Sequence, residues 1–447
     1  MELFKRKATY RLYPNATELA ALECTHGLHC RATNALLEEH KRRYESGESS
    51  YSFAAMCKDL TSWRERSEAL GSLNAQSLQV TAKRASLAFA AFFRRAAAGQ
   101  TAGYPRFKSA KRFAGWGYKT LGDGWRLLQE HSVAKHGKYA GTEYGAVRLS
   151  GIGTVSMRGR ARFPGTPKTA EVIRRKDKWY LSVTFEVSRA DLQCKQVRTA
   201  GSASMSFDWG INTLLKQIVG DALTGEVVSV DNPRWLKTKL SRIKDLQQAI
   251  SQREEAAKAA SGKTKRFPVN ARLAGLYDRL RRIHGQIARQ RQDFYHKLTT
   301  ALVQRFGLIV TEQLTVKNMV RAPKAKKADD GTYLPNGAAA KAGLNRSILD
   351  GAPATMMQQY RYKAAEVGSI LMELPTKMLK PSQRCCKCGQ TQKMTLAERT
   401  YQCSCGSVMD RDENAARTML RYAFESAWWE NAKQAGTVCA AAALRAA

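Results

Sequence analysis

Apolar and polar residues alternate from the start. In Phe4-Lys5-Arg6-Lys7-Ala8-Thr9-Tyr10-Arg11-Leu12-Tyr13 the period of two predicts a strand that Pro14-Asn15 ends. From Thr17 to about Ala98 the chain turns rich in Ala, Leu, Glu and Arg, broken at Gly47 and Ser49-Ser50, which predicts two or three helices in a small bundle. Between Gly99 and Val187 the texture becomes Gly, Pro, Tyr and Trp with short strands. The last of these, Trp179 to Val187, is apolar at every odd position, so an antiparallel barrel or sandwich with one buried face is expected.

A second alternation begins near Ala203, where Met205-Ser206-Phe207-Asp208-Trp209-Gly210 reads as a strand with an acid near its end. Apolar residues at Leu236, Leu240, Ile243, Leu246 and Ile250, then Leu273, Leu276, Leu280, Ile283 and Ile287, step by three and four around Ser261-Gly262. They predict a long helical hairpin. Its outer face is expected to carry Arg279, Arg281, Arg282, Arg289 and Arg291, which suits a nucleic-acid backbone or a solvated surface equally. Leu308 to Thr311 predicts a short buried strand ending at Glu312. Arg321 to Asn345 shows little apolar periodicity and reads as a lid-like loop. Asp412-Glu413 open a further helix with acids in its first turn.

Charge narrows the partner. Lys and Arg number 74 against 38 Asp and Glu, a net charge of +36, which points to a polyanion. Nucleic acid is favoured over a membrane, because no run of about 18 apolar residues occurs and no charged-then-apolar leader opens the chain. A cytosolic protein is expected.

Five of the ten cysteines fall in one window. Cys385-Cys386-Lys387-Cys388-Gly389 and Cys403-Ser404-Cys405-Gly406 form two knuckles of the kind that holds tetrahedral zinc. Cys385, Cys388, Cys403 and Cys405 are the expected ligands, with Cys386 in reserve. Four sulfurs leave no open position, so this zinc is structural. Asp208, Glu312 and Asp412 each stand at a strand end or helix start. If they converge, they could hold two Mg²⁺ or Mn²⁺ ions for phosphodiester hydrolysis. Tyr104 and Lys108, in an aromatic and basic stretch, are candidates for contacting bases or backbone, though barrel packing explains them as well.

Several blocks taken together resemble the TnpB family: Phe207 to Asn212, Ile309 to Leu314 with Val316-Lys317-Asn318-Met319, the two cysteine knuckles, and Asp410-Arg411-Asp412-Glu413-Asn414-Ala415-Ala416. Earlier blocks carry the resemblance across nearly the whole chain: Tyr10 to Pro14, Phe92 to Arg95 with Gly103 to Lys108, and the Trp179-Tyr180 strand.

The resemblance implies a multidomain α+β protein. A wedge-like β-barrel would occupy residues 1–15 and 99–200, with a helical recognition domain inserted at 16–98. A RuvC-like nuclease domain of RNase H fold would occupy 201–380 and 406–447, with the hairpin at 233–306 and the lid-like loop at 313–345. A zinc ribbon would occupy 381–405. The resemblance further implies RNA-guided cleavage of double-stranded DNA beside a short protein-read motif, with a guide RNA as partner. The first catalytic acid would be Asp208, the second Glu312, and the third Asp412, with Asp410 as its competitor; Arg279, Arg282, Arg289, Tyr104 and Lys108 would be candidate nucleic-acid contacts. Three departures stand out: Gln313 where an acid often follows the second catalytic acid, no Trp in Leu349 to Pro353, and a shortened second knuckle. A compact type V CRISPR effector would share these motifs, as would a guide-dependent DNA-binding repressor. A strand transposase with a Tyr or Ser nucleophile fits least.

Overall fold

Strand β1 (Leu3–Tyr13) organises the first half of this computed structural model. The structure describes residues 3–424 apart from 49–50, 134–140, 160–164, 192–199, 263, 265–266 and 396. It divides into two units, Met1–Gln196 and Val197–Ala447. Among the described residues no helix is long and apolar enough to cross a membrane.

In the first unit, β1 alternates so that Ala8, Tyr10 and Leu12 are buried. It pairs with β7 (Lys178–Ser188) from Leu3 to Arg11, then passes to β5 (Gly153–Arg158) at Leu12 and Tyr13. With β2 (Gly115–Tyr118), β3 (Trp125–Val133), β4 (Glu143–Leu149) and β6 (Thr166–Arg175) the order is β2-β6-β7-β1-β5-β4-β3, antiparallel throughout. The two edge strands bring Trp116 and Trp125 into one core with Tyr10, Val147 and Leu181. A flat sheet could not do this, so the strands curl into a nearly closed barrel.

Helix α1 (Ala16–Glu45) starts at a capping box: the Glu18 N–H donates to Asn15 and the Asn15 N–H donates back to Glu18, both at 2.9 Å. With α2 (Phe53–Arg66), α3 (Glu68–Gly71) and α4 (Ala75–Ala97) it closes a second core around Leu36, Met56, Leu78 and Phe89. Arg84 of α4 fastens the bundle to the barrel, donating to the Gly115 carbonyl and to Glu171, each at 2.7 Å.

The second unit is a mixed sheet between helical layers. Its order is β10 (Glu226–Asp231), β9 (Thr213–Val219), β8 (Ala203–Trp209), β11 (Phe306–Glu312), β14 (Ile370–Leu374). β8, β11 and β14 run parallel, while β9 and β10 return antiparallel. Helices α5 (Leu240–Ser261) and α6 (Ala271–Arg305) form the hairpin, the first ending where Gly262 takes a φ of +61°.

Three expectations are corrected here. The lid-like loop is not structureless: α7 (Val316–Met319), a ladder of β12 (Lys326–Lys327) with β13 (Tyr333–Leu334), and the start of α8 (Ala338–Gly351) all lie within it. The Ala338-Ala339-Ala340-Lys341-Ala342 run is helical by intrinsic propensity, which a search for apolar periodicity passes over. Lys341 and Asn345 then tie it down, donating to the carbonyls of Met319 and Val320. Second, Arg291 does not lie on the hairpin's outer face, whereas Arg281 is exposed there as expected. Arg281 pairs with Asp278, and Arg291 turns inward to the buried Asp350 at 2.9 Å. Third, the cysteine ribbon does not stop at 405, because β15 (Thr400–Gln402) pairs with β16 (Val408–Asp410). Residues 425–447 of the expected nuclease segment lie outside the described residues.

Candidate functional site

Pleat and register bring the first two acids together. On β8, Met205, Phe207 and Trp209 face the core shared with α6 and with α9 (Pro353–Val367). Ser206 and Asp208 therefore point to the opposite face. On β11 the same parity puts Leu308, Val310 and Glu312 on that opposite face, over the core shared with α11 (Arg411–Phe424). Thr311 is in register with Phe207 on the adjacent parallel strand, so Glu312 and Asp208 follow side by side at the strand tips. The third acid comes from α11, which packs across this face; Ser206 donates to the Ala416 carbonyl at 2.6 Å. Asp412 stands in its first turn.

Glu312 and Asp412 both lie within electrostatic reach of Asp208. Burial lifts the Asp208 carboxyl well above its usual range, and the nearby Glu312 and Asp412 lift it further, while Arg411 opposes the rise. Glu312 is raised too, mainly by burial, against a hydrogen bond from Thr376 of the short helix α10 (Thr376–Leu379). Carboxylates crowded where ionisation is costly form a site that a dication would relieve.

Asp410 and Asp412 have different duties. The Asp410 Oδ1 accepts the N–H groups of Asp412 and Glu413, both at 3.0 Å, so Asp410 caps α11. Asp412 is instead held by Arg411, whose Nε lies 3.4 Å from its Oδ1 and whose Nη1 donates to the Glu398 carbonyl at 3.0 Å.

The four expected cysteines form one cluster, with all ligand atoms within 4.8 Å of one another. Among the described residues it is the only cluster of three or more metal-ligating groups that tight. Cys385 and Cys405 Sγ are 3.6 Å apart, and Cys388 and Cys403 Sγ 3.5 Å. A tetrahedron of Zn–S bonds of about 2.3 Å requires sulfurs about 3.8 Å apart, so the donor set fits zinc. Burial pushes the Cys388 thiol up to about 12. Burial opposes ionisation of Cys403 as well, yet the Cys405 N–H and the neighbouring sulfurs draw it down to about 7. Cys386, the reserve ligand, points away: its thiol is buried against Met409 Sδ at 3.7 Å.

Asn414, Thr418 and Arg421 come together at the first cysteine knuckle, a placement the sequence reading did not make. Asn414 is fully buried, and its side chain accepts the Cys386 N–H at 3.0 Å and donates to the Arg384 carbonyl at 2.7 Å. Thr418 donates to the same carbonyl at 3.1 Å, and Arg421 donates to the Cys386 carbonyl at 2.6 Å. Residues 414, 418 and 421 share one helical face. That face bolts the helix carrying Asp412 to the first cysteine knuckle. The spacing of these three polar residues along one face of the helix was the available signal.

The remaining candidates are placed as follows. Arg279, Arg282 and Arg289 are exposed on α6. Tyr104 packs edge-on against Phe89 and Phe92, with ring centroids 5.6 and 5.2 Å away. The Lys108 backbone is clamped on both sides by the Asn34 amide.

Comparison with known proteins covers both units. Residues 182–322, which contain Asp208 and Glu312, match the family model OrfB_IS605, described as "Probable transposase". Residues 354–419, with the cysteine cluster and Asp412, match the model of the Cas12f1-like TNB domain. The chain is 28% identical over 428 residues to a Streptomyces pristinaespiralis protein named "Putative RNA-guided DNA endonuclease", covering 94% of this chain and 90% of that one. It is 29% identical over 394 residues to InsQ of Escherichia coli K12, which carries the same description, covering 87% and 84%. A solved mini-RNA-guided CRISPR endonuclease aligns over 93% of this chain and 92% of its own at 11% identity, with a TM-score of 0.43. That superposition is too loose to transfer any detail.

Proposed function

We propose that this chain, which belongs to the TnpB family, is an RNA-guided DNA endonuclease whose cutting centre is Asp208, Glu312 and Asp412. The observation that carries the reading is the convergence of strand register and helix packing. Two adjacent parallel strands end in acids on the face crossed by the helix that supplies the third, and Glu312 and Asp412 both raise the carboxyl of Asp208. The full-length similarity to proteins named as RNA-guided DNA endonucleases supports the same reading.

The second unit is then the RuvC-like domain of RNase H fold with an inserted zinc ribbon, and the first the wedge-like barrel with its helical recognition insert. Asp208, Glu312 and Asp412 would hold Mg²⁺ or Mn²⁺, for which hard carboxylate oxygens are the preferred donors. Such ions would supply activation of the attacking water and neutralisation of the leaving oxygen. The protein's own contribution is to hold the acids in place: the sheet fixes Asp208 and Glu312, Asp410 caps the helix of Asp412, and Arg411 steadies its carboxylate. Zinc at the four cysteines would be structural. The match described as a transposase covers the two strand-borne acids, and no Tyr or Ser nucleophile is needed.

The +36 charge suits a protein that holds guide RNA and double-stranded target DNA, with Arg279, Arg282, Arg289, Tyr104 and Lys108 as candidate contacts. The test is to express the gene within its native flanking DNA, purify the protein and sequence the RNA bound to it. RNA running from a mobile-element end into neighbouring sequence is expected. Repeat-and-spacer RNA would assign the chain to the CRISPR effectors instead, and no discrete RNA would overturn guided cleavage.

A further inference from the structure

Neither the carboxylates nor the cysteines involve the β3–β4 edge of the barrel, which has a charge arrangement of its own. Trp125 is in register with Leu149 and Arg126 with Arg148. Trp125 and Leu149 are buried, so the two arginines stand directly opposite each other on the exposed face, with Thr154 next in the row across β5. Like charges directly opposed across a ladder are destabilising. Among the described residues neither guanidinium is joined to an acid. Asp123, the acid nearest them in sequence, accepts a hydrogen bond from Asn74 at 2.7 Å.

Beside the pair lies a concavity of about 470 Å³, lined by both arginines and by the turns that hold Gly122, Gly124, Gly151 and Gly153. All four glycines take positive φ. A Cβ built on Gly122 or Gly153 would meet nothing within 4 Å, so these two do not make room for packing. They leave bare backbone facing open space, where a ligand can approach closely.

We infer that this edge binds a nucleic-acid phosphodiester, with Arg126 and Arg148 sharing one phosphate. A guanidinium fork matches phosphate oxygens, and one phosphate between the two removes the repulsion that the free protein carries. The inference rests on the reading that the chain holds nucleic acid, and it adds a place where it does so. The phosphate can belong to RNA or to duplex DNA.

The test uses the full-length chain freed of bound nucleic acid by high salt. Its affinity for a short single-stranded RNA and for a short DNA duplex is measured against salt for wild type, R126Q, R148Q and R126Q/R148Q. Once that one phosphate is no longer neutralised, the slope of log affinity against log salt falls by about 0.7 if the ligand is RNA or about 0.9 if it is duplex DNA. The other ligand's slope stays put, which identifies the source. Because either arginine alone still neutralises the shared phosphate, each single variant keeps a slope close to wild type and only the double variant gives the full drop, and the double variant of the free protein melts no lower than wild type. Equal half-drops from the single variants would mean only a net-charge effect and overturn the site. So would an unchanged slope in the double variant when the wild type binds, or a lower melting temperature of that variant. A wild type that binds neither ligand would instead overturn the nucleic-acid reading itself.

Discussion

Asp208→Asn abolishes target cleavage and at the same time makes the metal-free protein more stable. Losing an outer-shell partner of a metal ligand already costs about 10–100-fold. Losing a carboxylate that would hold the ions should therefore cost on the order of 10³-fold or more. The stability effect has the opposite sign. A carboxyl whose pKa is raised on folding contributes stability below its ordinary range and loses it as pH rises through the raised value. Burial, Glu312 and Asp412 raise that of Asp208, so the metal-free wild type is penalised at neutral pH and the neutral amide is not. Cleavage assays and thermal melts with and without Mg²⁺ check both parts. A variant that cuts within tenfold of wild type, or melts lower without metal, contradicts the assignment. Asp412→Asn should behave likewise in cleavage, whereas Asp410→Asn keeps a side chain that caps a helix as well as Asp does and should leave cleavage near wild type.

Removing zinc should disable the carboxylate centre without touching a carboxylate. Metal binding to such a site supplies on the order of 10 kcal/mol of folding free energy, so the ribbon does not stay folded without it. Asn414, Thr418 and Arg421 all bond to backbone between Arg384 and Cys386, and α11 loses those partners together. Either Cys403→Ser or chelation should lower zinc from about one per chain, raise hydrogen exchange across residues 411–424, and cut cleavage by about 10²-fold or more. In the chelated protein Zn²⁺ restores all three and Mg²⁺ alone does not. A zinc-free protein whose α11 stays protected and which still cuts would show that ribbon and nuclease fold independently.

Much of this centre was legible because it depends on short-range rules. Asp208 lies near the end of an alternating run and Glu312 closes an apolar one, both of which read as strands, and the two cysteine knuckles keep zinc spacing on their own. Nothing in residue type separates Asp412 from Asp410; the family resemblance favours Asp412, and the structure adds that the Asp410 side chain is occupied in capping α11. Arg291 was misread because its partner, Asp350, is brought to it by tertiary packing. The helix at 338–351 was misread because alanine favours helix without any apolar stripe. The role of Asn414 depends on a carbonyl 30 residues away, and no pattern local to the helix names that partner.

The most direct measurement takes the ribonucleoprotein purified from the native gene context and gives it plasmids with matched or mismatched targets beside the same flanking sequence, in Mg²⁺. Double-strand cleavage of the matched plasmid alone is predicted. It should follow the guide when the guide sequence is exchanged, and vanish in Asp208→Asn. Cleavage of matched and mismatched plasmids alike, or of neither by a ribonucleoprotein that retains its RNA, would contradict RNA-guided cutting at this site.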